Sequence, residues 1–167
     1  EYKKLKRAFS GGFTHANALV VGTIQKDVTS FDFASSYPYV MVSEQFPMTT
    51  GELIEIKSKE KFYECINYYC CIFDITFFDL DSKIWFEHYI SESHCRDVEN
   101  EVVDNGRIVK ADKLTTTITE QDFQIIEKCY SWSKIVIKNM RRYQRDFLPT
   151  PFVKAVLKLY KDKTQLR

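Results

Sequence analysis

The sequence predicts an α+β fold in which a β-rich, acidic middle separates two basic ends. Apolar residues make up 44% of the 167-residue chain and aromatic residues 15%, which is enough for a packed core. Segments with the alternation typical of strands occur beside segments with helix-start signals. The charge is segregated, with a net +3 over residues 1–31, −9 over 32–137 and +7 over 138–167. A polyanion site at the two basic ends is one interpretation, and solvated surface charge is the other.

The first third of the chain alternates turns with short elements. Gly11-Gly12 predicts a turn or a close backbone approach. We expect a strand from Val28 to Phe33, then a short helix from Ser36 to about Gln45 with Pro38 in its first turn. The next expected elements are a strand over 51–57 and a helix over 59–65.

Strand signals dominate the middle. Tyr68 to Phe78 is aromatic and β-branched, which predicts a strand, and we expect another from Ile84 to Ile90. Asn105-Gly106 accepts the positive φ angles of a tight turn and predicts a hairpin over residues 102–109.

Helix caps and one more strand mark the last third. Thr119 and Asp122 resemble a capping box that opens a helix to about Tyr130. A strand is expected from Ser133 to Met140. Thr150-Pro151 predicts a helix with Thr as its N-cap and Pro in its first position.

Apolar runs and cysteines indicate the compartment. No apolar run approaches the ~18 residues that cross a bilayer, and the charged opening is unlike a signal peptide, so we expect a soluble, cytoplasmic protein without membrane contacts. Five cysteines without a repeating framework favour a reducing environment. His88, His94 and Cys95 could be zinc ligands, but structural roles are favoured because C-x-x-C is absent. The chain opens on Glu1, and we expect it to be a piece of a longer protein.

One segment carries the chemistry. Asp32 is predicted to lie between a strand and a helix N-terminus, where a carboxylate can hold Mg²⁺ and exposed N–H groups can receive phosphates. An ordinary cap is the alternative. The full string D-x-x-S-x-Y-P, from Asp32 to Pro38, resembles the first catalytic motif of family B DNA polymerases. Phe9-Ser10-Gly11-Gly12-Phe13 resembles the family's upstream Y-x-G-G/A motif, which holds the template strand.

The short distance between these motifs and the long segment behind them are similar to the protein-primed subgroup, which occurs in phages and linear plasmids. The resemblance implies that residues 1–42 are a palm segment, that 43–138 form an inserted subdomain contacting the terminal protein, and that 139–167 return to the palm as a basic helix. The fold class it implies is therefore an α+β fragment of a polymerase palm with a β-rich insertion. The location would be the host cell cytoplasm.

The chain departs from the family pattern in three places. Phe9 replaces Tyr in the junction motif, and Ser36 replaces Leu in the catalytic motif. The later motifs K-x-x-x-N-S-x-Y-G and D-T-D are not found in the printed sequence.

The resemblance also implies a role for each motif residue. Asp32 would be the catalytic carboxylate and would bind two Mg²⁺ ions, one of them together with the carbonyl of Phe33. Phe33, Ser35 and Ser36 would contact the incoming deoxynucleoside triphosphate, and Tyr37 would lie beneath its sugar and exclude a 2′-hydroxyl. A helix cap or a core aromatic is the structural alternative for these positions.

DNA contacts are expected at both ends of the chain. Phe9, Gly11 and Gly12 would approach the template, and Lys161 and Lys163 would contact phosphates of the template-primer. A turn and solvated helix charges are the alternatives.

The expected function is a fragment of a DNA-directed DNA polymerase that extends a protein or nucleic-acid primer and is inactive by itself. A non-catalytic adaptor that binds nucleic acid and a protein partner is the first alternative. Another Mg²⁺-dependent enzyme, such as a nuclease, is the second, although only one carboxylate stands in the motif.

Overall fold

The chain folds into two compact units. The structure, a computed structural model, describes residues 2–9, 11–12, 20–85 and 88–165. The first unit comprises residues 1–11 and 49–144, and the second comprises residues 12–48 and 145–167. Ser10 and Phe13 of the junction motif lie outside the described residues.

The first unit is a seven-stranded antiparallel sheet with helices. Its strands are β2 (Glu52–Ile54), β3 (Cys70–Ser82), β4 (Cys95–Glu99), β5 (Val102–Asp104), β6 (Arg107–Thr119), β7 (Tyr130–Ser131) and β8 (Lys134–Tyr143). They run in the order β2-β8-β3-β6-β4, with β5 paired to β6 and β7 paired to β3. The helices of this unit are α1 (Tyr2–Ala8), α3 (Lys59–Tyr68) and α4 (Glu120–Cys129), besides a short 3-10 helix, Glu92–His94.

The core of the first unit lies between the sheet and helices α3 and α4. Phe62 of α3 meets Phe73 of β3 edge-to-face with ring centroids 5.3 Å apart, and Phe123 of α4 with centroids 4.9 Å apart. All three side chains are fully buried. Because residues alternate along β3, Phe73, Ile75 and Phe77 point into this core while Asp74 points to the opposite face.

Helix α1 belongs to the first unit and packs against β3 and β6. Lys4 donates a hydrogen bond to the carbonyl of Asn139 in β8. The Asp74 carboxylate accepts bonds from Thr117 Oγ1 at 2.6 Å and Asn139 Nδ2 at 2.9 Å, and Arg96 lies 3.2 Å away. A polar network therefore joins α1 to four strands across the face opposite the core.

The second unit is smaller and has a different character. It contains α2 (Ser36–Ser43), α5 (Thr150–Gln165) and a two-stranded antiparallel ribbon of β1 (Gln45–Pro47) and β9 (Arg145–Phe147). Helices α2 and α5 pack on each other. None of the described residues in this unit is buried, so the second unit has little core of its own.

The α+β prediction is confirmed, and so are several local signals. Asn105 and Gly106 have φ angles of 48° and 70° and join β5 to β6 as a hairpin. Thr119 and Asp122 form both hydrogen bonds of a capping box at the start of α4.

Two predicted strands are absent from the described residues. Val28 to Phe33 has no paired neighbour, and a strand without one has no partner for its backbone hydrogen bonds. Residues 84, 85 and 88–90 also form no strand. Their backbone is satisfied by side chains: Ile84 N–H donates to Ser82 Oγ, and Ile90 N–H donates to Tyr130 Oη.

The last helix starts one residue earlier than its cap signal predicts. Thr150 is the first residue of α5 rather than its N-cap. The carbonyl of Pro149 accepts from the N–H groups of Phe152 and Val153, at 2.9 and 3.1 Å.

Candidate active site

Asp32 lies in an exposed, irregular segment just before α2. The chain passes through residues 28–33 without regular structure and turns at Ala34 and Ser35 into the helix. Within the described part of the chain, no hydrogen bond or ion pair engages the Asp32 carboxylate. The carboxylate is therefore accessible to a ligand, in contrast to Asp74, whose oxygens are all engaged by neighbouring side chains.

The turn before α2 is built by an unusual backbone conformation. Ser35 has φ 57° and ψ 39°, the left-handed region that few side chains adopt outside turns, and its hydroxyl makes no cap hydrogen bond. Its carbonyl accepts the first helical bond from Tyr39 N–H at 3.1 Å. Ser35 therefore occupies the N-cap position of α2, as the structural alternative expected, but its hydroxyl does not cap the helix.

Aromatic side chains of the motif project away from the protein. Phe33 is 85% exposed and Tyr37 is 80% exposed. A core role for Tyr37 is therefore wrong. The exposed Tyr37 ring offers a flat surface on the first turn of α2, two residues beyond Ser35.

A small cavity of about 220 Å³ lies behind the motif, between α2 and α5. Its lining is mainly apolar, and Ser35 is at its rim. The residues that form it are Ala34, Ser35, Pro38, Tyr39 and Val42 on one side and Val156, Leu157 and Tyr160 on the other. The packing around this cavity fixes the start of α2 against α5, and it places the motif in the same unit as Lys161 and Lys163.

The other predicted contacts are divided between the units. Lys161 and Lys163 are exposed on the last turns of α5, beyond Tyr160. Phe9 follows α1 in the first unit and is 76% exposed. At Gly11 and Gly12 a Cβ atom would meet no atom of the described residues within 4 Å. The described residues thus leave the space beside these glycines open.

Asp32 and Phe33 are the motif residues that could hold a magnesium ion. Mg²⁺ is commonly held by one or two carboxylates while substrate phosphates and water complete its shell. Asp32 and the adjacent carbonyl of Phe33 fit a part of such a shell because both precede an open helix N-terminus. Within the described ranges, no three His, Cys, Asp or Glu residues form a cluster that could hold a metal ion. Asp32 and Phe33 therefore fit a partial ligand set.

Sequence reasoning missed a basic groove on the first unit. It has a volume of about 430 Å³ and lies where α1 faces the 3-10 helix and β4. Its lining residues are Lys3, Lys6, Arg7, Ser93, His94, Cys95 and Arg96. The basic residues of α1 were visible in the sequence, but nothing in the local pattern places Arg96 beside them.

The comparison with known families gives the class of protein. An α+β chain with an accessible carboxylate in D-x-x-S-x-Y-P has the motif expected of a template-directed polymerase. The family model described as DNA polymerase type B, organellar and viral, matches residues 1–126. The chain belongs to this family, and the resemblance found in the sequence is confirmed at that level. Comparisons with curated proteins and with solved structures gave no match. No helix within the described ranges is long and apolar enough to cross a membrane.

Proposed function

We propose that this chain is part of a protein-primed DNA polymerase and supplies one of its catalytic carboxylates. The observation that carries the proposal is Asp32, an accessible carboxylate at the turn into α2 that has no partner among the described residues. A carboxylate that served only to cap this helix would accept a hydrogen bond from its first N–H groups, and Asp32 accepts none from the described residues.

Asp32 is the metal ligand in this proposal. Two Mg²⁺ ions in the complete polymerase would supply activation of the primer hydroxyl and charge stabilisation of the departing pyrophosphate. Asp32 contributes carboxylate oxygens to them, and Phe33 contributes its main-chain carbonyl, a role that leaves its side chain free. The exposure of the Phe33 ring agrees with a role limited to the backbone.

Ser35, Ser36 and Tyr37 bind the incoming deoxynucleoside triphosphate. The Ser35 hydroxyl and the N–H groups at the start of α2 are hydrogen-bond donors that the helix leaves available, and a helix N-terminus favours anionic phosphates. Tyr37 presents its exposed ring to the sugar and excludes a ribonucleotide by its bulk. Pro38 lacks an N–H group and serves only to start the helix.

The two units divide the remaining contacts. The second unit, with Asp32 and the basic α5, forms part of the palm, and Lys161 and Lys163 contact DNA phosphates. The sheet of the first unit forms the inserted subdomain that meets the terminal protein. The complete polymerase is located in the cytoplasm of the host cell. Phe9, Gly11 and Gly12 approach the template strand, because glycines without Cβ atoms leave room for a phosphate backbone.

The isolated chain is expected to be catalytically silent. Asp32 without further carboxylates is an incomplete ligand set for two metal ions, and the second unit has no buried residue among those described to fix its site rigidly. Extension of a primer by the purified chain alone would contradict this part of the proposal.

The test is primer extension by the complete polymerase that contains this chain. Asp32→Asn should lower the extension rate by at least about 10²-fold, the lower end of the range for loss of one group that stabilises a transition state. Asp27→Asn is the matched control, since Asp27 is also an exposed carboxylate of the second unit with a φ of 57° that Asn tolerates. Equal extension by wild type and Asp32→Asn would remove Asp32 from the mechanism and favour the adaptor alternative.

A further inference from the structure

Strand β8 has one edge without a neighbouring strand among the described residues. β2 pairs with β8 only from Arg142 to Met140, because β2 ends at Ile54. Residues 134–138 therefore pair with β3 on one side, and no described strand pairs with them on the other. This outer side of residues 134–138 is the free edge of β8. An edge strand presents a row of main-chain N–H and C=O groups to which another strand can pair.

A groove of about 680 Å³ lies beside the free edge. After Ile54 the chain leaves β8 to enter α3, and residues 56–59 line the groove together with residues 132–137. Its other lining residues are Phe62, Tyr63 and Glu127. The divergence of the chain from β8 thus leaves space beside an open sheet edge, where an extended peptide can add a strand.

The side chains of the free edge alternate between apolar and cationic at its two ends. Ile135 and Ile137 are on the core face of the sheet, because their partners in β3 point into the core, and both are partly buried. Lys134 and Lys138 are on the opposite face, with Val136 between them, and both are exposed. An added strand would therefore meet apolar side chains on one face and two lysines on the other.

The charges along the groove favour an acidic segment. Three lysines line it, namely Lys57, Lys59 and Lys134. Glu127 is the one carboxylate among the described lining residues, and it already accepts a hydrogen bond from Tyr63 Oη. Lys57 has only an exposed ion pair with Glu55, at 3.5 Å. The surroundings of the free edge thus complement acidic side chains, although residues 32–137 carry a net charge of −9.

A second copy of this chain would fit the free edge poorly. If two such edges paired antiparallel about Val136, Lys134 of each copy would lie opposite Lys138 of the other. Like charges directly opposite each other destabilise a pair of strands, and lysines on edge strands oppose self-association. The two lysines therefore disfavour this chain as the added strand and favour an acidic one.

We propose that the free edge of β8 binds an extended segment of a partner protein in which acidic and apolar residues alternate. The segment adds a strand to the sheet. Its apolar side chains pack beside Ile135 and Ile137, and its acidic side chains pair with Lys134 and Lys138. Main-chain hydrogen bonds supply affinity, and the alternating side chains supply specificity. The inference goes beyond the proposed function, which assigns no segment of a partner to any strand.

The test is a titration of the ¹⁵N-labelled 167-residue chain with synthetic peptides, followed by NMR. The matched peptide has the core Glu-Val-Thr-Val-Glu, which reads the same in both directions and so fits the free edge in either orientation. It should shift the amide signals of residues 134–138. The control, Val-Glu-Thr-Glu-Val, has the same composition but turns its acidic side chains toward the apolar face. It should bind at least about tenfold more weakly.

Lysine variants measure the contribution of charge. Lys134→Gln with Lys138→Gln should weaken binding of the matched peptide about fivefold, as expected for the loss of two exposed charge pairs. Lys110→Gln with Lys128→Gln removes two exposed charges elsewhere on the first unit and should bind as the wild type does. The amide spectrum of each variant without peptide checks that the fold is kept.

Methylated peptides measure the contribution of the main chain. N-methylation of the two valines of the matched peptide removes one set of N–H groups, and N-methylation of its threonine and second glutamate removes the other set. Successive N–H groups of a strand point to opposite edges, so only one set faces β8. One of the two methylated peptides should lose binding at least about tenfold, and the other should keep it.

Five outcomes would overturn the inference: no binding of the matched peptide, equal binding of the control peptide, shifts centred outside residues 134–138, an equal loss in the two lysine variants, or equal binding of the two methylated peptides. Dimerisation of the chain through the same amides, without peptide, would assign the free edge to a second copy and would also overturn it. The titration contains no DNA, nucleotide or metal ion, so its failure leaves the Asp32 experiment unaffected. Conversely, an active Asp32→Asn polymerase would leave peptide binding at β8 unchanged.

Discussion

The two units of this chain differ in how many of their described residues are buried. Every buried residue described belongs to the first unit, where rings from α3, α4 and β3 pack edge-to-face beneath the sheet. The second unit, which carries the catalytic motif, leaves Phe31, Phe33 and Tyr37 exposed. Burial of apolar surface is the main stabilising term in folding. The first unit is therefore expected to be stable by itself, and the second unit, which has no such core among its described residues, is expected to be less stable.

The largest effect should come from the core of the first unit. Phe123 is fully buried among aromatic neighbours, so Phe123→Ala should lower the free energy of unfolding by about 3–5 kcal/mol. Tyr39→Ala, a matched aromatic truncation in the second unit, should cost less than about 1 kcal/mol because Tyr39 is mostly exposed. Urea unfolding followed by circular dichroism measures both. Equal losses would abolish the distinction between the units.

The polar network around Asp74 makes the stability of the first unit depend on pH. Burial raises the pKa of Asp74, but hydrogen bonds from Thr117 and Asn139 and the charges of Lys4 and Arg96 outweigh it, so the net pKa is lowered. A lowered pKa stabilises the fold above the unfolded value near 4, and this stability is lost as the pH falls through the folded pKa.

Asp74→Asn should therefore destabilise the first unit at pH 7 by about 1 kcal/mol, the size of a partly exposed charged hydrogen bond. The difference from wild type should shrink as the pH falls below about 4. Asp162→Asn, on the exposed face of α5, is the control and should leave the unfolding curve unchanged at both pH values. A difference for Asp74→Asn that stays constant with pH would show that its charge is not involved.

Helix starts offer a direct contrast between the units. The Thr119 side chain accepts from Asp122 N–H at 3.3 Å, so Thr119→Ala should cost about 1 kcal/mol. The Ser35 hydroxyl makes no such bond, so Ser35→Ala should leave stability within about 0.5 kcal/mol of wild type. In the complete polymerase, Ser35→Ala should instead raise the KM for nucleotide. A stability loss at Ser35 without a change in KM would assign it a structural role.

The smallest effect is expected for DNA contacts on α5. Lys161→Gln with Lys163→Gln should weaken DNA binding by the complete polymerase several-fold and lower the salt slope by one to two, at about 0.7–0.9 per lost contact. Lys154→Gln with Lys158→Gln, nearer the start of the same helix, serves as the control. If both pairs had the same effect, α5 would contribute only a general electrostatic attraction to DNA, without specific contacts at Lys161 and Lys163.

Local signals predicted much of the fold because their chemistry is local. The Asn105-Gly106 hairpin and the Thr119–Asp122 capping box depend on residues within a few positions of each other. The prediction of a strand from Val28 to Phe33 was wrong because a strand depends on a distant partner strand, which a local apolar pattern does not supply.

The functional residues also divide into those that a local motif reveals and those that only the folded chain brings together. Asp32, Ser35 and Tyr37 lie close enough in sequence for a motif to reveal them. The structure adds that Asp32 and Tyr37 are exposed, that Ser35 is partly buried, and that the Ser35 hydroxyl makes no cap hydrogen bond. The basic groove joins Lys6 of α1 to Arg96 of β4. Asp74 and Thr117, which accept hydrogen bonds from Arg96 and fix it, lie on two other strands. No sequence spacing encodes such a contact, so only the folded chain reveals it.

The most direct test of the account is the dependence of single-nucleotide addition on Mg²⁺ concentration in the complete polymerase carrying Asp32→Glu. Glu keeps the charge but moves the carboxylate by one methylene, which displaces a metal ligand and hardly alters a surface charge. The account predicts a lower maximal rate and a higher Mg²⁺ requirement than in the wild type. The same rate and the same Mg²⁺ requirement in both enzymes would contradict a metal-binding role for Asp32.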